Sequence, residues 1–395
     1  MLKTTAIRIG EKYLVAPIGI SSGMPFASLS LARAEFPLLA THSLLNNCSQ
    51  GPQSHATRLA ADRFLDSWRN DGMDWEAWIG EVNRAREAFA RLINADPDEI
   101  AVTSSVSEAV SSLASALDFR DRPGLVLAES EFPTVAHGWQ AQARRGADLE
   151  WASDGDLGRL VNERTRLVSV THASYLTGAK QDVAAIAATA HRHGALVFTD
   201  VYQTIGTCPI DVRALDVDFL AAGCLKYLLG TAGIAFLYVR RSLIERLVPT
   251  VTGWFGRQEP LAFRPRPLDW ADTAARFDTG TPPLINAAIA RAGIELIEAA
   301  DPAAIDGWIQ NLSARMRARA LGRNLTVLSP AAPAAKAPTT AIEVGDQAGL
   351  VEGRLRRRRI LASARGNVIR LAPHFFTTEA EIDQAIDALA EEIPG

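Results

Sequence analysis

The chain has 395 residues, of which 48% are hydrophobic and 22% charged, a composition typical of a globular protein with a full apolar core. Its 41 Lys and Arg residues against 45 Asp and Glu give a net charge of −4, which argues against nucleic acid or an anionic membrane surface as a partner. Three widely spaced cysteines, Cys48, Cys208 and Cys224, suggest neither a disulfide framework nor a metal site and fit a reducing cytoplasm.

The N-terminal segment MLKTTAIRIGEKYLVAPIGI interrupts its apolar residues with charges every few positions. This pattern is typical of neither a signal peptide nor a membrane span, so we expect a cytoplasmic protein. Residues 1–45 give no clear element, and we expect them to pack against the C-terminal part of the chain.

From about residue 76, helical and strand patterns alternate along the chain. In order they are helix EAWIGEVNRAREAFARLINA, strand IAVTS, helix SEAVSSLASAL, strand GLVLAES, helix TVAHGWQAQARRG, strand TRLVSVTH, helix DVAAIAATAHRHG and strand ALVFTD. Gly194 is expected to end the last of these helices. Because the strands are continuous apolar runs, the series predicts an α/β fold with a mostly parallel sheet covered by helices on both faces.

After one more strand, GIAFLYVRR, the pattern changes. The later segments are helices NAAIARAGIELIEAA, IDGWIQNLSARMRARALG and EAEIDQAIDALAEEI, with strands LTVLS, TAIEV and VIRLAP. SPAAPAAKAPTT reads as an exposed loop, and the basic run at residues 354–359 as a solvated helix face. We therefore predict a large α/β domain at residues 46–283 and a small α+β domain made of residues 1–45 and 284–395.

The strongest chemical signal lies between residues 198 and 239. Asp200 ends a buried strand, where open α/β sheets bind ligands, although an acid there also suits a helix N-cap. Lys226 follows the apolar strand DFLAAGCL, and burial at a strand edge would lower its pKa and make its amine nucleophilic. Most lysines are solvated surface residues, but Lys226 together with Asp200 and Gln203 matches what a pyridoxal 5′-phosphate (PLP) site needs.

This region resembles the cofactor-lysine region of class V aminotransferases, PLP enzymes of fold type I that include cysteine desulfurases and kynureninases. The resemblance covers nearly the whole chain. It implies that Lys226 carries the cofactor as a Schiff base, that Asp200 pairs with the pyridine nitrogen, and that Gln203 hydrogen-bonds the ring oxygen. A carboxylate against that nitrogen keeps it protonated and lets the ring accept electrons.

Other cofactor contacts are implied by the same resemblance. The segment TSSVSEA joins a strand to a helix, and the helix start, with Val106 and Ser107, would cradle the phosphate, although Ser and Thr are also ordinary N-caps. Phe132 matches an aromatic that stacks on the cofactor ring, with a core phenylalanine as the alternative. Thr281, in FDTGTPP, matches a threonine that reaches the neighbouring subunit's phosphate. That match implies a homodimer with a shared active site, whereas a plain Gly-Pro turn would not.

Several details are similar to the kynureninase branch. THASYLTG places Tyr175 beside the cofactor, and SWRNDGMDWEAW offers Trp75 to the substrate pocket, unless that tryptophan only packs between helices. Arg370, in IRLAPH, matches the arginine that binds the substrate carboxylate, with a surface salt bridge as the alternative. Leu225, however, stands where kynureninases carry a phosphate-binding tyrosine and desulfurases a histidine.

The resemblance leaves the reaction open. ILASARGNVIRLAPH lacks the cysteine that a desulfurase needs near its carboxylate-binding arginine, so persulfide chemistry is disfavoured. We expect a class V aminotransferase-type enzyme acting on a small or aromatic L-amino acid. The alternatives are a kynureninase-like lyase that cleaves at Cβ and, in a different class, a non-catalytic binding module on the same fold.

Overall fold

A computed structural model describes residues 29–393 of the chain. The strands in this part are β1 Ser43–Leu44, β2 Ile100–Thr103, β3 Gly124–Ala128, β4 Asp148–Ala152, β5 Thr165–Thr171, β6 Leu196–Asp200, β7 Phe219–Gly223, β8 Ala235–Val239, β9 Thr340–Glu343, β10 Ile360–Leu361, β11 Ser363–Arg365 and β12 Val368–Leu371. The α-helices are α1 Leu29–Ala34, α2 His55–Asp71, α3 Trp75–Leu92, α4 Val106–Ala116, α5 Pro133–Gln140, α6 Leu157–Leu160, α7 Val183–Arg192, α8 Val212–Leu215, α9 Arg241–Ile244, α10 Leu284–Ala300, α11 Pro302–Gly322, α12 Ala348–Arg357 and α13 Glu379–Glu392.

The large sheet has seven strands in the order β2-β8-β7-β6-β5-β3-β4. Strands β3 to β7 pair in parallel, and β8 lies antiparallel to both β7 and β2. This confirms the predicted α/β fold with a mostly parallel, mixed sheet. The sequence analysis missed the edge strand β4, because most of its side chains are exposed and do not form an apolar run.

Both faces of the large sheet are buried, which explains the apolar runs of its strands. In β2, Ile100 and Val102 belong to the hydrophobic cluster on one face, while Ala101 belongs to the cluster on the other. In β5, Val168 and Leu167 divide in the same way. Alternation between two buried faces removes the polar residues that a half-exposed strand would show.

Helix ends follow local capping chemistry. The Ser54 side chain accepts a hydrogen bond from the Thr57 N–H at the start of α2, and Asp74 caps α3 in the same way through the Ala77 N–H. Helix α7 ends as predicted, because Gly194 follows it with a φ of 69°.

The C-terminal part contains a three-stranded antiparallel sheet in the order β11-β12-β9, packed with α11, α12 and α13. Strand β1 pairs in parallel with β10, so a segment before the large sheet joins the C-terminal elements. We propose the same two-part division as before, with residues 46–283 as the large domain and residues 1–45 and 284–395 as the small one. Of the N-terminal segment, residues 1–28 lie outside the described residues.

Two details of this part differ from the predictions. LTVLS forms no strand, only a bridge between Val327 and Ile342, because Pro330 follows at once and cannot donate to a ladder. The Ala/Pro loop is not exposed throughout, since Lys336 has a relative exposure of 5%. Its second half packs on the loop after β5, where the Ala337 N–H donates to the Gly178 carbonyl at 2.7 Å. A backbone interaction of this kind leaves no signature in composition.

The basic run forms the end of α12 and the turn after it, with mostly exposed arginines as predicted. Arg354 and Arg358 pair with Glu392 and Glu391 of α13. Within residues 29–393, no helix has the length and apolar character needed to cross a bilayer.

Candidate active site

The candidate site lies where the carboxyl ends of β6 and β7 meet. Asp200 is the last residue of β6 and is 5% exposed, and its Oδ1 accepts a hydrogen bond of 2.8 Å from the Tyr202 N–H. Lys226 follows β7 after a short turn, as the sequence predicts. The parallel arrangement of β6 and β7 therefore places both chemical groups at one edge of the sheet.

The Lys226 ammonium group lies between aromatic rings. Its Nζ is 4.1 Å from the centroid of the Tyr202 ring and 5.4 Å from that of Phe132. Burial lowers the pKa of Lys226 to about 8, while the nearby charge of Asp200 opposes this shift. A substantial share of the amine is therefore neutral near neutral pH, which is the form that attacks a carbonyl.

Burial raises the pKa of Asp200, and the Tyr202 N–H and the Lys226 charge act in the opposite direction. A cationic nitrogen placed against this carboxyl group would favour its ionised form. Gln203 is also buried, and its Nε2 donates to the Cys48 carbonyl at 3.3 Å. The buried Oε1 of the same amide has no hydrogen-bond partner among residues 29–393, so Gln203 retains hydrogen-bonding capacity.

A cavity of about 190 Å³ opens beside these groups. Its wall includes Asp200 and Phe132 together with Ser105, Val106 and Ser107 at the start of α4. Ser105 is the N-cap of this helix, and its side chain accepts from the Glu108 N–H at 3.1 Å. The first N–H groups of a helix have no partner within it and, with the helix dipole, favour an anion. The cavity thus joins a carboxyl group to an anion-binding helix start.

Arg370 projects from β12 and is 1% exposed. Its guanidinium donates to the Tyr175 carbonyl at 2.7 Å, to the Ser363 hydroxyl at 2.7 Å and to the Ser49 hydroxyl at 3.1 Å. The positive charge of Arg370 contributes to lowering the pKa of Lys226, after the larger effect of burial. The Tyr175 ring meets that of Phe132 edge to face, with centroids 5.2 Å apart. The structure therefore brings Arg370, Tyr175 and Phe132 to the surroundings of Lys226.

Four of the ten predicted site residues line this cavity, namely Asp200, Phe132, Val106 and Ser107. Lys226 lies beside it through its contact with Phe132, whereas Thr281 and Trp75 lie elsewhere in the described chain. Thr281 is exposed, in a loop anchored by the preceding Asp278, whose Oδ1 accepts from the Val102 N–H at 2.8 Å. Trp75 is half-buried at the start of α3, and its ring meets that of Trp254 edge to face, with ring centroids 6.1 Å apart.

The sequence analysis missed two polar groups at the site. Tyr202 lies between Asp200 and Gln203 in the chain. Nothing in the sequence pattern indicated that its ring would contact the Lys226 amine. Glu131 precedes Phe132 and is buried, and its Oε1 accepts from the Ser169 hydroxyl at 2.7 Å. Burial raises the pKa of Glu131 to about 8. The signal that could have identified Glu131 is its position, because it is an acidic residue shortly after the end of β3 and directly before Phe132.

The geometry and the comparisons define the same class of protein. Residues 74–364 match the family model described as aminotransferase class-V. The chain is 36% identical over 363 residues to the uncharacterized aminotransferase YcbU of Bacillus subtilis (strain 168), covering 91% of this chain and 96% of that protein. It is 28% identical to kynureninase of Burkholderia mallei (strain SAVP1), with 77% of each chain covered.

Among solved structures, the fold is similar to that of C-DES, in a lysine-to-alanine variant with glycine covalently linked to its PLP cofactor. The TM-score is 0.83 at 24% sequence identity, with 91% of this chain and 99% of that one covered. The chain belongs to the class-V aminotransferase family. It is an enzyme of this family, and its cofactor is pyridoxal 5′-phosphate.

Proposed function

We propose that this enzyme transfers or removes the amino group of an L-amino acid at Lys226. The observation that carries the proposal is the placement of a half-buried lysine amine beside a buried carboxyl group, close to two aromatic rings and to an anion-favouring helix start. Each of these groups matches one part of PLP, namely its aldehyde, its ring nitrogen, its ring face and its phosphate.

The residues would hold the cofactor as follows. Lys226 would bond covalently to the aldehyde, Asp200 would face the ring nitrogen, and Phe132 would pack on the ring. The first N–H groups of α4, at Val106 and Ser107, would bind the phosphate. The Gln203 Nε2 carries two N–H groups, one of which donates to the Cys48 carbonyl, and the other would donate to the ring oxygen.

The protein's own groups account for the acid–base chemistry. The bound cofactor supplies an electron sink for a bond broken at the substrate Cα. Lys226, with a pKa lowered to about 8, can take a proton from Cα and return one at neutral pH. Asp200 would keep the ring nitrogen protonated, because a buried carboxylate stabilises a positive charge against it.

Arg370 would bind the substrate carboxylate. Its planar guanidinium offers several donors in a fixed fork, and its buried Nε has no hydrogen-bond partner in the described part of the chain. The Tyr175 carbonyl and the Ser363 hydroxyl fix its orientation.

We further propose a homodimer with a shared active site. Thr281 does not line the cavity of its own described chain, and its exposure leaves it free to reach a partner's phosphate site. The three cysteines are buried and unbonded, which supports a reducing cytoplasm as the location.

A kynureninase-like lyase that cleaves at Cβ is the second candidate, favoured by the contact between Tyr175 and Phe132. To separate the two, the purified holoenzyme is mixed with a panel of L-amino acids, with and without a keto acid. Loss of the yellow band on amino acid addition and its return with the keto acid supports amino transfer. Release of alanine or pyruvate with a persistent band supports the lyase, and no spectral or chemical change with any amino acid would contradict both.

A further inference from the structure

The position before the cofactor lysine lacks a phosphate donor in this chain. Leu225 stands where the resemblance places a histidine in desulfurases and a phosphate-binding tyrosine in kynureninases. Its apolar side chain lines the cavity but cannot donate a hydrogen bond. A phosphate held by the helix start of α4 would therefore receive no side-chain hydrogen bond from position 225.

The Tyr202 ring fills the space next to that position. A Cβ atom built on Gly223 would lie 2.5 Å from both Cζ and the hydroxyl oxygen of Tyr202, so only glycine at the end of β7 admits this ring. The Tyr202 hydroxyl also interacts with the backbone of Leu225. The Tyr202 hydroxyl is therefore held next to Gly223, which has no side chain to exclude it, and next to the backbone of Leu225.

Tyr202 belongs to the wall of the cavity that the helix start of α4 lines. Tyr202, Gly223 and Leu225 border it on one side, and Ser105 and Ser107 on the other. Burial raises the pKa of Tyr202, so its hydroxyl keeps its proton. A protonated phenol can donate its O–H to an acceptor held in the cavity.

We propose that the Tyr202 hydroxyl donates a hydrogen bond to the cofactor phosphate, in place of a polar side chain at position 225. This assignment rests on the proposed function, because it requires PLP in the cavity beside Lys226. The assignment makes Tyr202 and Gly223 a matched pair. Because Gly223 has no side chain, the end of β7 leaves room for the hydroxyl of Tyr202, which lies two residues after Asp200.

The test compares PLP with pyridoxal, which lacks the phosphate. Dissociation constants for both are measured on the apo forms of the wild-type protein and of Tyr202→Phe, by titration of the yellow band. Loss of one hydrogen bond to a charged group should weaken PLP binding by about tenfold or more and leave pyridoxal binding unchanged. Tyr238→Phe is the matched control, since its hydroxyl contacts Arg213 instead, and both constants should stay at their wild-type values.

Two results would overturn the assignment. Unchanged PLP affinity in Tyr202→Phe would exclude a hydrogen bond from the hydroxyl to the phosphate. Equal weakening of PLP and pyridoxal would show that the residue acts on the ring and not on the phosphate. Failure of the proposed function has a different signature, because the wild-type protein would then give no yellow band with either compound.

Discussion

The low pKa of Lys226 predicts how fast the apoenzyme captures its cofactor at each pH. Only the neutral amine attacks an aldehyde, so the rate follows the deprotonated fraction of Lys226. Burial lowers its pKa from 10.5 to about 8. The rate should therefore rise with pH and level off above about pH 8.5, whereas an ordinary lysine would continue to gain reactivity to roughly pH 10.5.

The size of the effect follows from the two pKa values. Near pH 7.5, about a quarter of an amine with a pKa of about 8 is neutral, against roughly one thousandth at the ordinary pKa, a ratio of about 250. The negative charge of Asp200 raises the pKa of Lys226. The Asp200→Asn substitution removes this charge and should therefore shift the pH–rate profile to lower pH.

The assay is stopped-flow mixing of apoenzyme with PLP, following the growth of the yellow band from about pH 6 to about pH 10.5. The reaction of PLP with Nα-acetyl-lysine is measured at the same pH values, and its rate, divided by the neutral fraction of that amine, corrects for the titration of PLP itself. A corrected rate that still climbs at the upper end of this range would refute the argument from burial. So would a profile that Asp200→Asn moves to higher pH.

The remaining predictions concern the loop before Thr281 and the substrate site. Asp278→Ala should lower the free energy of unfolding by roughly 3 kcal/mol, because it leaves the half-buried Arg86 without its carboxylate partner and the buried Val102 N–H without its acceptor. Asp62→Ala in the exposed pair with Arg58 should change it by less than about 1 kcal/mol. Urea unfolding of the three proteins measures this, and equal effects of the two substitutions would contradict it. Arg370→Lys should raise KM for the amino acid at least about tenfold while leaving the PLP dissociation constant near its wild-type value, because a point charge cannot replace the fork. Steady-state kinetics and a PLP titration check this, and an unchanged KM would contradict it.

Much of the fold was readable from the sequence because both faces of the large sheet are buried. Continuous apolar runs such as those of β3 and β7 identify a covered parallel sheet, and the order of the helices follows from their spacing. The edge strand β4 was not predicted, because only one of its residues is buried and its sequence therefore contains no continuous apolar run.

The candidate site was readable where chemistry is tied to strand ends, as for Asp200 and Lys226. Tyr202 could not be assigned to the site from the sequence. The position of its ring depends on the space that Gly223 leaves at the end of the neighbouring strand β7. Lys336 shows the same limit. The sequence places it in an exposed loop, but packing buries it, and its Nζ donates to the Ser313 hydroxyl at 2.9 Å.

Lys336 is also the natural rival to Lys226, since burial lowers its pKa to about 7. Reduction of the holoenzyme with borohydride, followed by peptide mapping, decides between them, because the cofactor then remains on the lysine that bound it. The account predicts the phosphopyridoxyl group on Lys226, beside Asp200 and the start of α4. A label on Lys336 or Lys180, with Lys226 unmodified, would contradict it.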